Sequence, residues 1–178
     1  MGQNISDFYT VAQQKDFARQ FQFRLLQLGP VVLSEDELVY VESASLPGRS
    51  INNIQVPFMG LNFNVPGTAQ YPDSAGFAVT FRCDSNYDIR TLLENSTFDT
   101  FDDSTSTGNY NIGAVASVID MILMNKQNQP IRDYKMFGAY VMNIGSSQYN
   151  IGDAGTIVTV QSTLAYHYWR SSQVGQGY

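Results

Sequence analysis

At 178 residues the chain fits one domain with a sizeable core, and 16 acidic against 10 basic side chains leave a net charge of −6. That balance argues against a conventional nucleic-acid binder, which clusters its basic residues, but not against a surface that lets DNA pass without holding it. A single cysteine excludes an intrachain disulfide and any CxxC metal site. Charged residues are sparse at 15%, while 11 Tyr and 11 Phe are present, the profile of a β-rich chain with wide contact surfaces. The opening residues MGQNISDFYTVAQQ show no basic region followed by an apolar one, and no apolar run reaches membrane-spanning length. A soluble intracellular product is expected.

Residues 1–14 are polar and read as a flexible arm. From Gln20 to Leu28, Phe21, Phe23 and Leu25 alternate with Gln20, Gln22 and Arg24, which predicts a strand broken at Gly29-Pro30. An acidic turn, Ser34-Glu35-Asp36-Glu37, precedes a second strand over Leu38–Ser45 that closes at Leu46-Pro47-Gly48. The next stretch organises the rest. Ile54, Val56 and Phe58 alternate with Asn53 and Gln55, and after Met59-Gly60 the alternation resumes in the opposite phase with Leu61, Phe63 and Val65 against Asn62 and Asn64. A period of two marks strands with one buried face, and the slip at glycine marks a turn or bulge. The apolar sets are expected in the subunit core. A further strand carries Phe77, Val79, Phe81 and Cys83 on one face.

No charged residue lies between Arg49 and Asp73. Soluble sheets protect their edges with charge, so a face of Asn, Gln and Thr suits a surface that meets another subunit. On this reading Asn53, Gln55, Asn62 and Asn64 face a lumen or a neighbouring subunit, together with Thr159, Gln161 and Thr163 of the closing strand.

Asp84–Asn95 offers Asp84 or Ser85 as N-cap, with Ile89, Leu92 and Leu93 at helical spacing, and predicts one short helix packed on the sheet. Residues 96–113 are rich in Ser, Thr, Asp and Gly and read as a surface loop. Val115–Asn125 fits helix or strand by periodicity alone; its β-branched residues and the turn Lys126–Pro130 favour a hairpin strand paired with Ile131–Ile144. Thr156–Trp169 is the last strand, with Val158, Val160, Leu164, Tyr166 and Tyr168 on one face. Residues 171–178 form a polar tail, and neither an internal repeat nor a domain linker is visible.

Catalytic and ligand motifs are absent from the pattern. His167 sits between two tyrosines with no carboxylate nearby in sequence to orient it, so it reads as a structural or interface residue. Cys83 ends an apolar face and reads as a buried inert thiol. Asp99, Asp102 and Asp103 lack the ligand order of a calcium loop and read as a solvated loop. Neither a catalytic residue nor a metal or cofactor site is assigned. The pattern ends at a mainly β single domain, residues 1–178, with charge-poor sheets.

The chain resembles the tail tube proteins of contractile-tailed phages. The resemblance is carried by Asp16-Phe17-Ala18-Arg19, Ser45-Leu46-Pro47-Gly48, Ile54–Gly67, Phe77–Arg82 and Thr163–Trp169, and spans residues 7–170 in the family's order. It implies two packed antiparallel sheets, as a barrel or sandwich, flanked by one short helix. It further implies a hexameric ring that stacks into a tube inside a contractile sheath, with baseplate and tape-measure components as further partners. Phage DNA would pass through the lumen without tight binding, and the tube would belong to the virion after assembly in the host cytoplasm. A baseplate tube initiator or secretion-system tube is the nearest alternative, and a monomeric β-sandwich binding module or small hydrolase the alternative of another class. The loop at 96–113 is longer than the family pattern.

Overall fold

The computed structural model describes residues 4–14, 17–34, 36–108, 117–152 and 154–173. Asp16, Glu35, the 109–113 part of the expected loop, Val115, Asp153 and residues 174–178 lie outside them. In chain order the described residues form α1 (Ile5–Gln14), β1 (Phe23–Gly29), β2 (Val31–Val32), β3 (Val41–Ala44), β4 (Ser50–Phe58), β5 (Leu61–Gln70) and β6 (Phe77–Arg82). There follow α2 (Asp88–Thr100), β7 (Phe101–Asp102), β8 (Thr107–Gly108), β9 (Val118–Met124), β10 (Pro130–Phe137), β11 (Tyr140–Ile144), β12 (Thr159–Ala165) and β13 (Tyr168–Gln173). No helix among these residues is long and apolar enough to cross a membrane.

Two antiparallel sheets form a sandwich. One runs β13-β10-β9-β1-β2 and the other β11-β12-β6-β3, while β4-β5 and β7-β8 pair only with each other. Period-two alternation decides the faces. In β6, Phe77, Val79 and Phe81 are fully buried while Ala78 and Thr80 lie between them on the outer face. β12 answers with Val160 and Leu164, and the five-stranded sheet contributes Leu25, Leu28, Ile119, Met121 and Met136 to the same core. In β1 the register shifts between Leu25 and Gln27, and this bulge lets Leu25 meet Met121 and Leu28 meet Ile119 on one face.

The sheets exchange strands at two corners. The stretch expected as one strand over Thr156–Trp169 is two: at Tyr166-His167 the chain leaves β12 and joins the other sheet as β13. The Tyr166 amide donates to the Ser74 carbonyl at 2.7 Å and the His167 amide to the Phe137 carbonyl at 2.9 Å, which satisfies the backbone where the ladder breaks. Ile131–Ile144 splits in the same way at Gly138-Ala139 into β10 and β11. Gly138 has φ +68° and its missing Cβ leaves room for the His167 ring, so the two corners pack on each other. The β9–β10 hairpin itself forms as the sequence predicts, from Met124 opposite Pro130 to Val118 opposite Phe137.

Local chemistry explains the remaining differences. The expected strand from Leu38 begins only at Val41 because Ser34 and Glu37 form a reciprocal cap. The Ser34 amide donates to Glu37 Oε2 at 2.6 Å and the Glu37 amide to Ser34 Oγ at 3.4 Å, which winds Glu37–Tyr40 into a 3-10 turn. Asp84 does cap the helix, but from four residues ahead: its carboxylate accepts the amides of Asn86 and Asp88 at 2.9 Å each, so α2 starts at Asp88. The helix buries Ile89 and Leu93 as predicted, then continues to Thr100, so 96–100 is helix instead of loop. The rest of that expected loop that is described contains the short β7–β8 pair, tightened by Asp102 accepting from the Ser104 amide at 2.8 Å and from Ser104 Oγ at 2.6 Å. Residues 5–14 of the expected arm are helical.

Phe81 sits at the centre of the core with no exposed surface. Phe81→Ala is expected to cost the isolated subunit about 3–5 kcal/mol in urea unfolding, the usual range for an emptied aromatic site.

Candidate subunit interface

The β4–β5 hairpin is built by its tip. Met59 (φ 50°) and Gly60 (φ 80°) both adopt left-handed backbone, the geometry of a two-residue hairpin turn whose twist matches its strands. Phe58 is thereby opposite Leu61, Val56 opposite Phe63 and Ile54 opposite Val65. The phase slip read in the sequence is this turn, and it places all six apolar side chains on one face.

That face is not in the core. Every residue of β4 is exposed, as is every residue of β5 except Gly67. Phe58 and Leu61 are 62% exposed and Phe63 50%. The expectation that these side chains line the subunit core is therefore wrong, and the reason is topological: the hairpin joins neither large sheet, so no second layer among the described residues covers it. An isolated two-stranded ribbon is marginal in water, and a contiguous exposed apolar face of this kind marks a site of association. The alternation holds, but its apolar face is exposed in this chain.

The polar face is equally open. Gln55 lies opposite Asn64 and Pro57 opposite Asn62, and Asn53 Nδ2 donates diagonally across the ribbon to Asn64 Oδ1 at 2.9 Å. Asn53, Gln55, Asn62 and Asn64 are thus exposed together on one side of the hairpin. Thr159, Gln161 and Thr163 are placed elsewhere, on the outer face of the four-stranded sheet. There Thr159 pairs with Arg82, Gln161 with Thr80 and Thr163 with Ala78. Thr159 and Gln161 are exposed and Thr163 is half-buried. The two sets belong to different sheets.

The hairpin base is fixed to the body. The Gly48 amide donates to Asp73 Oδ2 at 2.9 Å, and Trp169 Nε1 donates to the Gly48 carbonyl at 2.9 Å. Ser45-Leu46-Pro47-Gly48 and Trp169, two parts of the family resemblance, meet at this point. They tie the segment just before β4 to the body.

One charged cluster escaped the sequence reading because its members are far apart in the chain. Asp120 on β9 lies opposite Lys135 on β10, and Lys135 Nζ is 3.8 Å from Asp120 Oδ2 and 3.5 Å from Asp133 Oδ2. Burial, a hydrogen bond to the Asp133 carboxyl and repulsion from it push Asp120 up to about 6, and Lys135 only partly offsets this. The folded chain therefore binds this proton more tightly than the unfolded chain, whose aspartates titrate near ~3.9, and the contribution is lost as pH rises from about 4 through 6.

His167 is exposed at the strand corner and its ring packs over Gly138. Cys83 is half-buried, and burial pushes its thiol up, away from the nucleophilic form. Asp99 is in α2, and Asp102 is engaged by Ser104 and Thr105. Among the described residues no three His, Cys, Asp or Glu side chains gather as a metal site.

A sequence profile described as phage tail tube protein matches residues 12–172. The chain belongs to this family. It is a structural subunit of a tail tube, a component of the phage tail, and its fold is shared with chains of contractile injection systems. One from the six-fold symmetrised baseplate of the anti-feeding prophage superposes with TM-score 0.62 at 10% identity, covering 91% of this chain and 99% of that one. Another, from the cap of the same particle, gives 0.62 at 15% identity over 90% and 93%. A third, from the sheath–tube complex of an extracellular contractile injection system in the extended state, gives 0.60 at 15% identity over 97% and 100%. No curated protein sequence matches the chain.

Two outcomes follow for the tube subunit. Phe63→Asp is expected to leave the isolated subunit folded, with a urea midpoint near that of the unaltered chain, while abolishing assembly in sedimentation, since a carboxylate buried without a partner is strongly disfavoured only once the face is covered. Asp120→Asn is expected to gain stability relative to the unaltered chain as pH rises from 4 to 7, by about 1–2 kcal/mol, measured by urea unfolding across that range.

Proposed function

We propose that this subunit closes into hexameric rings that stack head-to-tail into a hollow tube, with a contractile sheath around it and phage DNA passing through it. The observation that carries the reading is the uncovered apolar face of the β4–β5 hairpin, six side chains on a ribbon with no ionised residue from Ile51 to Gln70. A second copy of the chain is the occupant this favours, because each copy then gives and receives the same contact. A head-to-tail contact of this kind closes a ring or propagates as an open stack.

The outer edges of both sheets support the same reading. β13 and β2 bound one sheet and β11 and β3 the other, and each leaves a row of backbone groups without a sheet partner among the described residues. Six-fold closure with neighbours of the same kind would pair them. The fold relative in a sheath–tube complex supports the sheath as outer partner, and the relative in a six-fold symmetrised baseplate supports the ring number. A net charge of −6 favours a lumen that repels phosphate, so DNA slides through it.

The baseplate relative also keeps a second reading in play, a ring that initiates the tube instead of extending it. Electron microscopy of the purified chain across a dilution series separates the readings. A tube subunit is expected to give six-fold rings when dilute and long stacks when concentrated, with no retention of duplex DNA at physiological salt. An initiator is expected to stop at single rings. A particle that stays monomeric by light scattering at every concentration overturns both and favours a binding module.

A further inference from the structure

The β4–β5 ribbon meets the body through two single-chain legs, residues 45–49 before β4 and 71–76 after β5. Its ladder ends at Ser50 opposite Gln70 and joins neither large sheet, so two free legs would act as a hinge. Each leg is anchored instead. Pro47 is buried, with φ fixed by its ring, and Tyr71 packs against the core. The turn after β5 is closed by the Ser74 amide on the Tyr71 carbonyl and the Gly76 amide on the Asp73 carbonyl, at 3.1 Å each. The Ser74 carbonyl in turn accepts the Tyr166 amide at 2.7 Å, which ties this turn to the corner between β12 and β13.

Gly48 joins the two legs. Its amide donates to Asp73 Oδ2 in the second leg, and its carbonyl accepts Trp169 Nε1 from β13, at 2.9 Å each. One residue is thus held through both its backbone polar groups, from the turn that opens β6 and from the five-stranded sheet. The close approach calls for glycine, because a Cβ at position 48 would stand 2.8 Å from Asp73 Oδ2. Asp73 is exposed and lies outside the core, so this bond, and not packing, accounts for its carboxylate.

We propose that Gly48, Asp73 and Trp169 form a positioning latch that holds the hairpin at one orientation to the sandwich, so that its apolar face is preorganised for assembly. A ribbon free to swing would surrender that freedom on docking, and every contact between copies would be weaker by the entropy lost. The three residues act through the ribbon and not by touching a partner. This inference rests on the tube reading for what the hairpin meets, and goes beyond it by naming the residues that aim it.

The test reads orientation and assembly separately. Orientation is read in the full chain with Cys83→Ser and Phe63→Asp, at a concentration where light scattering shows monomers. Spin labels go on Met59→Cys at the exposed hairpin tip and on Gln161→Cys at an exposed position of β12. Dipolar distances between the labels are expected to form one narrow distribution. Asp73→Ala with Trp169→Phe is expected to broaden it, Asp73→Ala or Gly48→Ala alone to broaden it less, and Asp73→Asn, which keeps an acceptor oxygen, to leave it narrow. In the chain without labels or Phe63→Asp, the double variant is expected to keep its circular dichroism and to raise the concentration needed for stacking about tenfold, as lost preorganisation does. A distribution already broad with the latch intact, or equally narrow without it, overturns the inference, and so does broadening with stacking unchanged. Should Trp169→Phe disturb the packing of that ring on Tyr134, Asp73→Ala alone decides. Monomers alone from the unaltered chain sink the tube reading, while the distances still decide whether the latch aims the hairpin.

Discussion

A sandwich of two antiparallel sheets can bury only the faces that the sheets turn toward each other, and the architecture of this chain depends on that constraint. Phe77, Val79 and Phe81 on one side and Ile119, Met121 and Met136 on the other seal a common core. The hairpin has no such partner. Among the described residues its two strands pair with each other alone, so one apolar face is exposed however regular its alternation. The sandwich closes its own core, whereas the hairpin leaves its apolar face exposed.

The connections between body and hairpin give that open face a defined position. Asp73 and Trp169 hold Gly48 from two sides, one from the turn before β6 and one from β13, so the ribbon leaves the sandwich at a point fixed by both sheets. The corners at Gly138-Ala139 and Tyr166-His167 tie the sheets further, because two strands cross between them side by side. A rigid body carrying a projecting ribbon suits a subunit of a tail tube, where the spacing between copies must repeat without drift. The outer face of the four-stranded sheet carries Thr80, Gln161 and Thr163 beside Arg82, whereas that of the five-stranded sheet carries Asp120, Asp133 and Lys135. The two sides of the sandwich therefore offer different chemistry to whatever lies against them.

Much of this was legible in the residues. The alternation of Phe77, Val79 and Phe81, the β9–β10 hairpin and the helix with Ile89 and Leu93 inward all follow from local periodicity, which a strand or helix expresses wherever it sits. The order of weak motifs from Asp16 to Trp169 was enough to point to the family. Local signals also misled where two competed: Ser34 and Glu37 cap each other and convert the start of an expected strand into a turn, and Asp84 starts its helix later than a direct N-cap would.

The sequence by itself determined which side chains of the hairpin share a face, because the period of two and the Met59-Gly60 turn set that locally. It did not determine what covers the face. Burial is a property of the layer opposite, and only the tertiary structure shows that β4 and β5 pair with no other strand among the described residues. The same distinction separates Thr156–Trp169 as one apolar pattern from β12 and β13 as members of two sheets, since a strand's side-chain alternation continues through a corner while its hydrogen bonds change partner. It also explains Asp120, Asp133 and Lys135, whose meeting depends on the register of β9 against β10 and on no spacing along the chain.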